Sequence, residues 1–489
     1  MRLHEEILGY QVYFVDLSEW KLRFSDRTPF ICVSQADLAA LAPRELKQSL
    51  LEVVRTRELA ERNPVVLIDG PVQDLQAAFK AQFSPIMVLD AAAQAAVRAS
   101  RRPSSELLDR LSAQVDLGSL VPYETSRPVT GSRFFGREAE VHRIVASADG
   151  NFAIMGIRRI GKTSLMREVE RQLKAQAQER GDNNAVQRIL FMDCSALRSP
   201  TDFVQKVVRQ LRPQELVRLS NKQFPIYFPD FLHRMAQRYG GPIFFFLDEF
   251  DRVLTWVRED DTLLNALRAS SIQDDSRYVI GGFREVMRAF SDLESPLFNF
   301  ARPVRLKDFT YEQTLNMVTG PLEKLGVEFE KRGDVVARIV QWAAGDRYIV
   351  PQSFAWCAEL VQGYRRHLVD RRVVDRAACR LFPANEARSP APLREAIHTI
   401  EEDADSVLDV LHLLEHDQLA RSRAHQMPTR TGADRLQLSG AVLLSEGSYI
   451  LKNYAYRRAL TRHFTTDRVG HILRVAGRWQ ETIAYQARR

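Results

Sequence analysis

Residues Gly156 to Thr163 read GIRRIGKT, a full fit to the spacing G-x-x-x-x-G-K-[ST]. Glycines let a backbone wrap closely round an anion, so that its N–H groups face phosphate oxygens at a helix N-terminus. A lysine at the seventh place reaches β- and γ-phosphates, and the hydroxyl beside it holds Mg²⁺. Lys162 and Thr163 occupy those two places. Together with Gly156, Arg159, Gly161 and Ser164 they form the candidate nucleotide-binding set. The setting supports this chemistry: Phe152, Ala153, Ile154 and Met155 read as a short buried strand, and residues 164–178 as a helix.

A second chemical segment lies downstream. Ile243 to Leu247 (IFFFL) is a continuous apolar run, the pattern of a central parallel strand buried on both faces. It ends in Asp248-Glu249. A carboxylate at such a strand tip can hold Mg²⁺ through water, and the next glutamate can polarise an attacking water. Asp248 is therefore the candidate metal ligand with Thr163, and Glu249 the candidate catalytic base with Lys162. Asp251 reads as a helix-start residue rather than a ligand. Ser276 to Arg284 (SRYVIGGFR) is a further buried strand ending in a basic residue. Arg284 fits two readings equally, a sensor of the γ-phosphate and an ordinary surface arginine.

The set FFGRE (134–138), MGIRRIGKTSL (155–165), FFFLDEFDRV (244–253), GGFR (281–284) and SPLFNFARPVRLKDF (295–309) resembles the STAND branch of the AAA+ ATPases. It is similar to the archaeal- and bacterial-type ATPases of that branch and to origin-recognition-like ATPases. The likeness runs from about Tyr123 to Phe382. The loop and acidic strand belong to P-loop NTPases generally, while FFGRE and the pair Arg158-Arg159 narrow it to this branch. The resemblance implies ATP and Mg²⁺ as cofactors. It places Phe135, Gly136 and Arg137 along the adenine and makes Arg284 the first sensor. A second sensor would fall at Arg347 or Pro351, where the spacing departs from the family pattern. Arg302 sits where AAA+ proteins can carry an arginine finger, an element STAND proteins often lack.

The 489 residues exceed what one core accommodates. With 45% apolar and 27% charged residues the composition is that of a globular protein. No apolar run approaches the length needed to span a bilayer, and MRLHEEILGY lacks the apolar stretch of a secretion signal, so a cytoplasmic location and no membrane partner are expected. Cys32, Cys194, Cys357 and Cys379 are scattered, which fits reduced thiols rather than a disulfide or zinc framework. Residues 451–489 hold nine basic and two acidic residues, an excess equal to the +7 of the whole chain. Such an end suits an acidic partner, double-stranded DNA first, and equally suits a helix face docked on its own ATPase domain.

The expected fold is α/β: a P-loop NTPase core with a helical lid, a C-terminal winged helix and a small N-terminal α/β domain. Residues 1–120 form the small domain, with strands at Pro64–Ile68 and Pro85–Leu89, helices at Val72–Phe83, Ala91–Ser100 and Ser104–Leu117, and an edge hairpin from Tyr10–Asp16 and Trp20–Phe24. Asp69 and Asp90 at its strand ends read as helix caps rather than site residues. Residues 121–131 are a linker, 132–308 the ATPase core, 309–385 the lid, and 386–489 the winged helix. In the last, Asp405–Glu415, Gln418–Met427 and Asp434–Val442 read as helices before a hairpin round Glu446-Gly447, and Glu401-Glu402-Asp403 as a solvated helix start. Three functions fit. The first is a slowly hydrolysing ATP switch that couples nucleotide state to oligomerisation or to recruitment of a protein partner, in bacterial defence or signalling. The second is a DNA-binding ATPase regulator or loader of origin-recognition or transposition type. The third is a scaffold with a degenerate nucleotide site, against which the intact Lys162, Thr163, Asp248 and Glu249 argue.

Overall fold

Period-two and continuous apolar runs in this chain become two five-stranded sheets, beside a three-stranded and a two-stranded one among the described residues. The computed structural model describes residues 3–20, 22, 24, 27–56, 64–70, 86–115, 120–121, 127–156, 160–215, 224–257, 261–343, 357, 368–380, 389–424, 436, 439–481 and 483. The chain divides into two units. One gathers residues 1–135, 310–340 and 350–380; the other gathers 136–309, 341–349 and 381–489. Among the described residues no helix is long and apolar enough to cross a membrane.

The first unit holds a five-stranded mixed sheet in the order β1 (Leu3–Ile7), β2 (Tyr10–Val15), β3 (Thr28–Val33), β4 (Val65–Ile68), β5 (Met87–Leu89). β1 to β3 pair antiparallel, and β3 to β5 pair parallel. Tyr10–Val15 finds its hairpin partner in β1 rather than in Trp20–Phe24; Ser18–Trp20 is a 3₁₀ turn. The physical reason is the two-residue connection Leu8-Gly9, whose φ values of 50° and 84° match the twist of a tight antiparallel hairpin. Asp90 caps the helix Ala91–Ala99 by accepting from the Ala93 N–H at 2.7 Å. The helix expected at Val72–Phe83 lies outside the described residues. Helix Pro103–Ser112 stops short of the expected Leu117. The helices Tyr311–Lys324 and Arg332–Ala343 follow the second sheet in sequence, and Lys324 Nζ donates to the Glu19 carbonyl at 2.8 Å.

The second unit is built on β6 (Phe152–Met155), β7 (Ile189–Asp193), β8 (Ile243–Asp248), β9 (Ser276–Gly282) and β10 (Arg302–Arg305), in the spatial order β10-β6-β9-β8-β7. Every pair is parallel. Parallel strands need crossover helices on both faces, so the inner strands β6, β8 and β9 are buried almost throughout, while the edge strand β10 exposes Arg302, Pro303 and Arg305. Phe245, Leu247, Ile280 and Val286 anchor one core, and Phe246, stacked 6.2 Å from the Phe191 ring, is buried apart from it. The chain runs out from β6 to the far edge at β7 and steps back through β8 and β9, so β6 lies at a reversal of strand order. Ligands of open α/β sheets bind outside the carboxyl ends of strands at such a reversal.

The C-terminal part of this unit carries helices Ala391–Glu401 and Ala404–His416, then a three-stranded antiparallel sheet. In that sheet Ser448–Leu451 lies between Gln418–Ala420 and Val442–Ser445. Helices Tyr454–His463 and Thr466–Val475 close the region. The expected helix at Gln418–Met427 is instead a strand and a 3₁₀ turn as far as Arg423. Asp417, at φ 64°, ends the preceding helix and turns the chain onto the hairpin. Most of the helix expected at Asp434–Val442 lies outside the described residues. Glu401 is not a solvated end: it accepts from Arg468 Nε and from His463 Nε2, each at 2.7 Å. Burial raises the Glu401 carboxyl, but these two partners outweigh it and hold it below its ordinary value.

Candidate nucleotide site

Parallel pairing puts the carboxyl ends of β6, β8 and β9 on one edge of the sheet. Three segments therefore lie at that edge: Gly156 after β6, Asp248-Glu249 at the tip of β8, and Gly282 to Arg284 after β9, residues 157–159 lying outside the described residues. Gly161 has φ 97° and caps the helix Lys162–Glu179; a side chain there would be strained. The helix thus begins at Lys162, two residues ahead of the start expected from the sequence. Lys162 is buried, and its Nζ donates to the Gly156 carbonyl at 2.9 Å, so the lysine closes its own loop. Ser164 continues the first turn of that helix. Arg159 lies outside the described residues, as do Arg347 and Pro351.

Thr163 Oγ1 donates to Asp248 Oδ2 at 2.6 Å. The two residues expected to hold a metal are thus brought together from elements 85 residues apart. Asp248 is only 4% exposed. Burial pushes its carboxyl above the ordinary aspartate value; the bonds from Thr163 and the Glu249 N–H, and the charge of Lys162, counter this only in part. A desolvated carboxylate beside a hydroxyl is a donor set that gains from a hard cation such as Mg²⁺. Glu249 has a left-handed backbone, φ 52°, at the strand-to-helix turn. The Phe250 N–H then donates to the Gly281 carbonyl at 2.9 Å, tying the tip of β8 to the tip of β9.

A cavity of about 370 Å³ opens on this edge. From the sheet side it is lined by Lys162, Glu249, Asp251 and Arg284 among others. From the C-terminal region it is lined by Glu395, His398, Thr399, Ser439 and Tyr456 among others. Pro392, Glu395 and His398 recur every three residues, so one face of the helix Ala391–Glu401 points into it. That face had no signal in the sequence: a helix with one histidine and one glutamate on it reads as surface. Nearby, Lys452 Nζ pairs with Asp308 at 3.0 Å, its side chain only 2% exposed, and Asn453 Nδ2 donates to the Ala343 carbonyl at 2.9 Å.

Gly136, at φ 68°, donates its N–H to Glu138 Oε1 at 2.9 Å. Phe135 precedes it in the chain. Arg137 is buried, bonded to Glu140 Oε1 at 2.8 Å and to the Lys307 carbonyl, and is absent from the cavity lining. Arg302 starts β10 opposite Phe152, at the end of the sheet away from the phosphate loop. In the basic C-terminal stretch, Arg457 pairs with Asp417 at 2.6 Å, Arg468 with Glu401, and Arg478 with Glu481 and Asp405, while Arg458 stacks 5.9 Å from the Trp342 ring.

A family model described as an AAA domain matches residues 145–281. That span holds the phosphate loop and the acidic strand, so the chain carries an AAA-type P-loop ATPase domain with a parallel α/β core. Among solved structures, the ORC2 protein of Aeropyrum pernix, determined as ADPNP–ADP complexes, aligns at 13% identity and a TM-score of 0.50 over 73% of this chain and 98% of its own. The Walker-type ATPase of Pyrococcus abyssi aligns at 14% identity and a TM-score of 0.44, covering 70% of this chain and all of its own. The RuvB Holliday junction branch migration motor of Thermotoga maritima aligns at 15% identity and a TM-score of 0.38, covering 68% and 98%. At such identities the likeness is one of fold. No curated protein sequence matches the chain.

Proposed function

We propose that this chain is an ATP-driven conformational switch of the STAND/AAA+ kind, in which the C-terminal region reads the state of the nucleotide site. One observation carries the reading: Lys162, Glu249 and Arg284 share a single cavity with Glu395, His398 and Tyr456 of the C-terminal region. A ligand that adds or loses a γ-phosphate there changes the contacts of both parts. Differential contact of that kind is what lets a ligand shift a conformational equilibrium.

In this reading the N–H groups of the loop from Gly156 to Gly161 and the helix start at Lys162, Thr163 and Ser164 hold the phosphates. Phe135, Gly136 and Arg137 lie on the adenine side. Thr163 and Asp248 hold Mg²⁺, which on binding supplies charge neutralisation at the phosphates. Glu249 orients the attacking water and takes its proton, and Arg284 reports the γ-phosphate. The buried Lys452–Asp308 pair keeps the C-terminal region seated on the core between cycles. Hydrolysis is slow, and release of the C-terminal region frees the rest of the chain for self-association or a protein partner.

DNA binding is the second reading. It is supported by the basic excess of residues 451–489 and by the helix–helix–strand and hairpin order of 391–451, which suits a winged helix. Against it, several of those arginines are spent on carboxylates of the same region. Steady-state hydrolysis with and without duplex DNA, at two salt concentrations, distinguishes the readings. A slow rate indifferent to DNA is expected. Stimulation that falls steeply with salt and is lost on neutralising Arg457, Arg458 and Arg462 would establish the loader reading instead. In Lys162→Ala, ATP affinity falls by about a hundredfold, the loss of charge-assisted bonds to phosphate. Normal binding and turnover by that variant would sink both.

A further inference from the structure

We infer that Asp251 is the positioning residue that sets Arg284 and Glu249 relative to one another. This rests on the assignment of Arg284 as the γ-phosphate sensor. Asp251 follows Asp248 by three residues and opens the short helix Asp251–Trp256. Its side chain does not serve its own helix. Oδ2 accepts from the Phe283 N–H at 2.6 Å, and Oδ1 accepts from the Glu285 and Val286 N–H groups at 2.8 and 3.2 Å. Phe283 and Glu285 flank Arg284 and Val286 follows, all at the start of the helix Arg284–Ser291. One carboxylate thus caps the sensor helix from the neighbouring strand's loop. Phe283, in the N-cap place, has φ −133° and ψ −97° and offers no side-chain cap of its own. Asp251, Glu249, Phe283, Arg284 and Glu285 all line the same cavity.

The glycine of GGFR next to this contact is explained by it. A Cβ on Gly282 would stand 2.7 Å from Asp251 Oδ2 and 2.2 Å from Val286 Cγ2. The close approach of the β9 tip to the carboxylate therefore requires glycine. The Phe250 N–H bond to Gly281 adds a second tie between the same two loops. The loop that carries the water-orienting glutamate and the loop that carries the arginine are locked in register through Asp251. With a carboxylate among three N–H donors, the lock is charge-assisted and short-ranged.

The test is a double-mutant cycle on the full chain, reading the ratio of ATP to ADP affinity and the hydrolysis rate for Arg284→Ala, Asp251→Ala, Asp251→Asn and the Arg284→Ala/Asp251→Ala double variant. Arg284→Ala is expected to lower the ATP-over-ADP preference by about tenfold, the loss of one charge-assisted bond. Asp251→Ala is expected to match it, and the double variant to be no worse than either, because both remove one interaction. Asp251→Asn keeps one accepting oxygen and falls between. A role confined to folding would lower the melting temperature of Asp251→Ala while leaving the ATP-over-ADP ratio of the folded protein intact, and that result would overturn the inference. Losses that multiply in the double variant would overturn it too. An unchanged ratio in Arg284→Ala would remove the sensor assignment and this inference together, while the phosphate-loop reading would still stand or fall with Lys162→Ala.

Discussion

At the scale of single residues, the site holds groups that cost the fold something. Asp248 holds its carboxyl in a dry place. Its folded-state pKa lies above that of the unfolded chain, so its contribution to stability is greatest when protonated and is lost as pH rises through the folded value. Asp248→Asn keeps an oxygen to accept from Thr163 and sheds the buried charge. The expected outcome is a protein with hydrolysis reduced by orders of magnitude yet no less stable without ligand at neutral pH, seen by thermal melting beside an ATPase assay. Because a cation must displace the proton from this carboxyl, Mg²⁺ affinity, and hydrolysis with it, is expected to fall as pH drops, measured as the Mg²⁺ concentration needed for half-maximal rate at two pH values. Glu249 tells a similar story through its backbone. Holding a non-glycine residue at φ 52° costs roughly 1–2 kcal/mol. Glu249→Gly should therefore abolish hydrolysis and raise the melting temperature, whereas Glu249→Gln should abolish hydrolysis alone; equal melting of the two would show the turn to be unstrained.

At the scale of elements, the phosphate loop and its flanks were readable because their chemistry is local. Gly156, Gly161, Lys162 and Thr163 are fixed by spacing, and Ile243 to Leu247 announces a buried parallel strand by having no polar face. That Thr163 meets Asp248 follows once β6 and β8 run parallel with β9 between them. What stayed hidden depends on partners distant in sequence. Gln418 to Met427 has a helical composition, but Gln418–Ala420 is captured by Ser448–Ile450, a pairing absent from the local pattern. Tyr10–Val15 was expected to turn forward and instead turns back onto Leu3–Ile7 through two left-handed residues. Asp251 looked like an ordinary helix start because its real partners lie more than thirty positions away. The central strand is also where packing is least forgiving. Phe245 is 1% exposed and stacks on Tyr278 at 5.2 Å. Phe245→Ala should cost about 3–5 kcal/mol, measured by denaturant unfolding; a loss below about 1 kcal/mol would mean that the core collapses round the gap.

At the scale of the whole molecule, the basic C-terminal stretch illustrates how a count of charges can mislead. Its excess is real, yet Lys452, Arg457, Arg468 and Arg478 each face a carboxylate within the same unit. The Lys452–Asp308 pair is the one that reaches the segment just after β10. Removing one partner of a buried pair strands the other, at a cost of about 3–5 kcal/mol when burial is complete and less here, where Asp308 is 22% exposed. Lys452→Ala should loosen the C-terminal region, visible as faster proteolytic cutting between residues 381 and 453, and should raise basal hydrolysis. Unchanged cutting together with unchanged hydrolysis would show that the pair holds nothing in place.

The discontinuous make-up of the first unit has a consequence for how the protein is born. Its opening 135 residues reach the ribosome exit long before residues 310–340 and 350–380, and the whole β6–β10 sheet is synthesised in between. At a translation speed of about 5–20 residues per second, the early strands wait on the order of ten seconds or more for the rest of their unit. The second unit's sheet, complete at Arg305, can close during that interval, before the first unit has all of its residues. The early segment, whose own sheet core runs from Ile7 to Val88, is then the part of the nascent chain that stays longest without the helices that complete its unit.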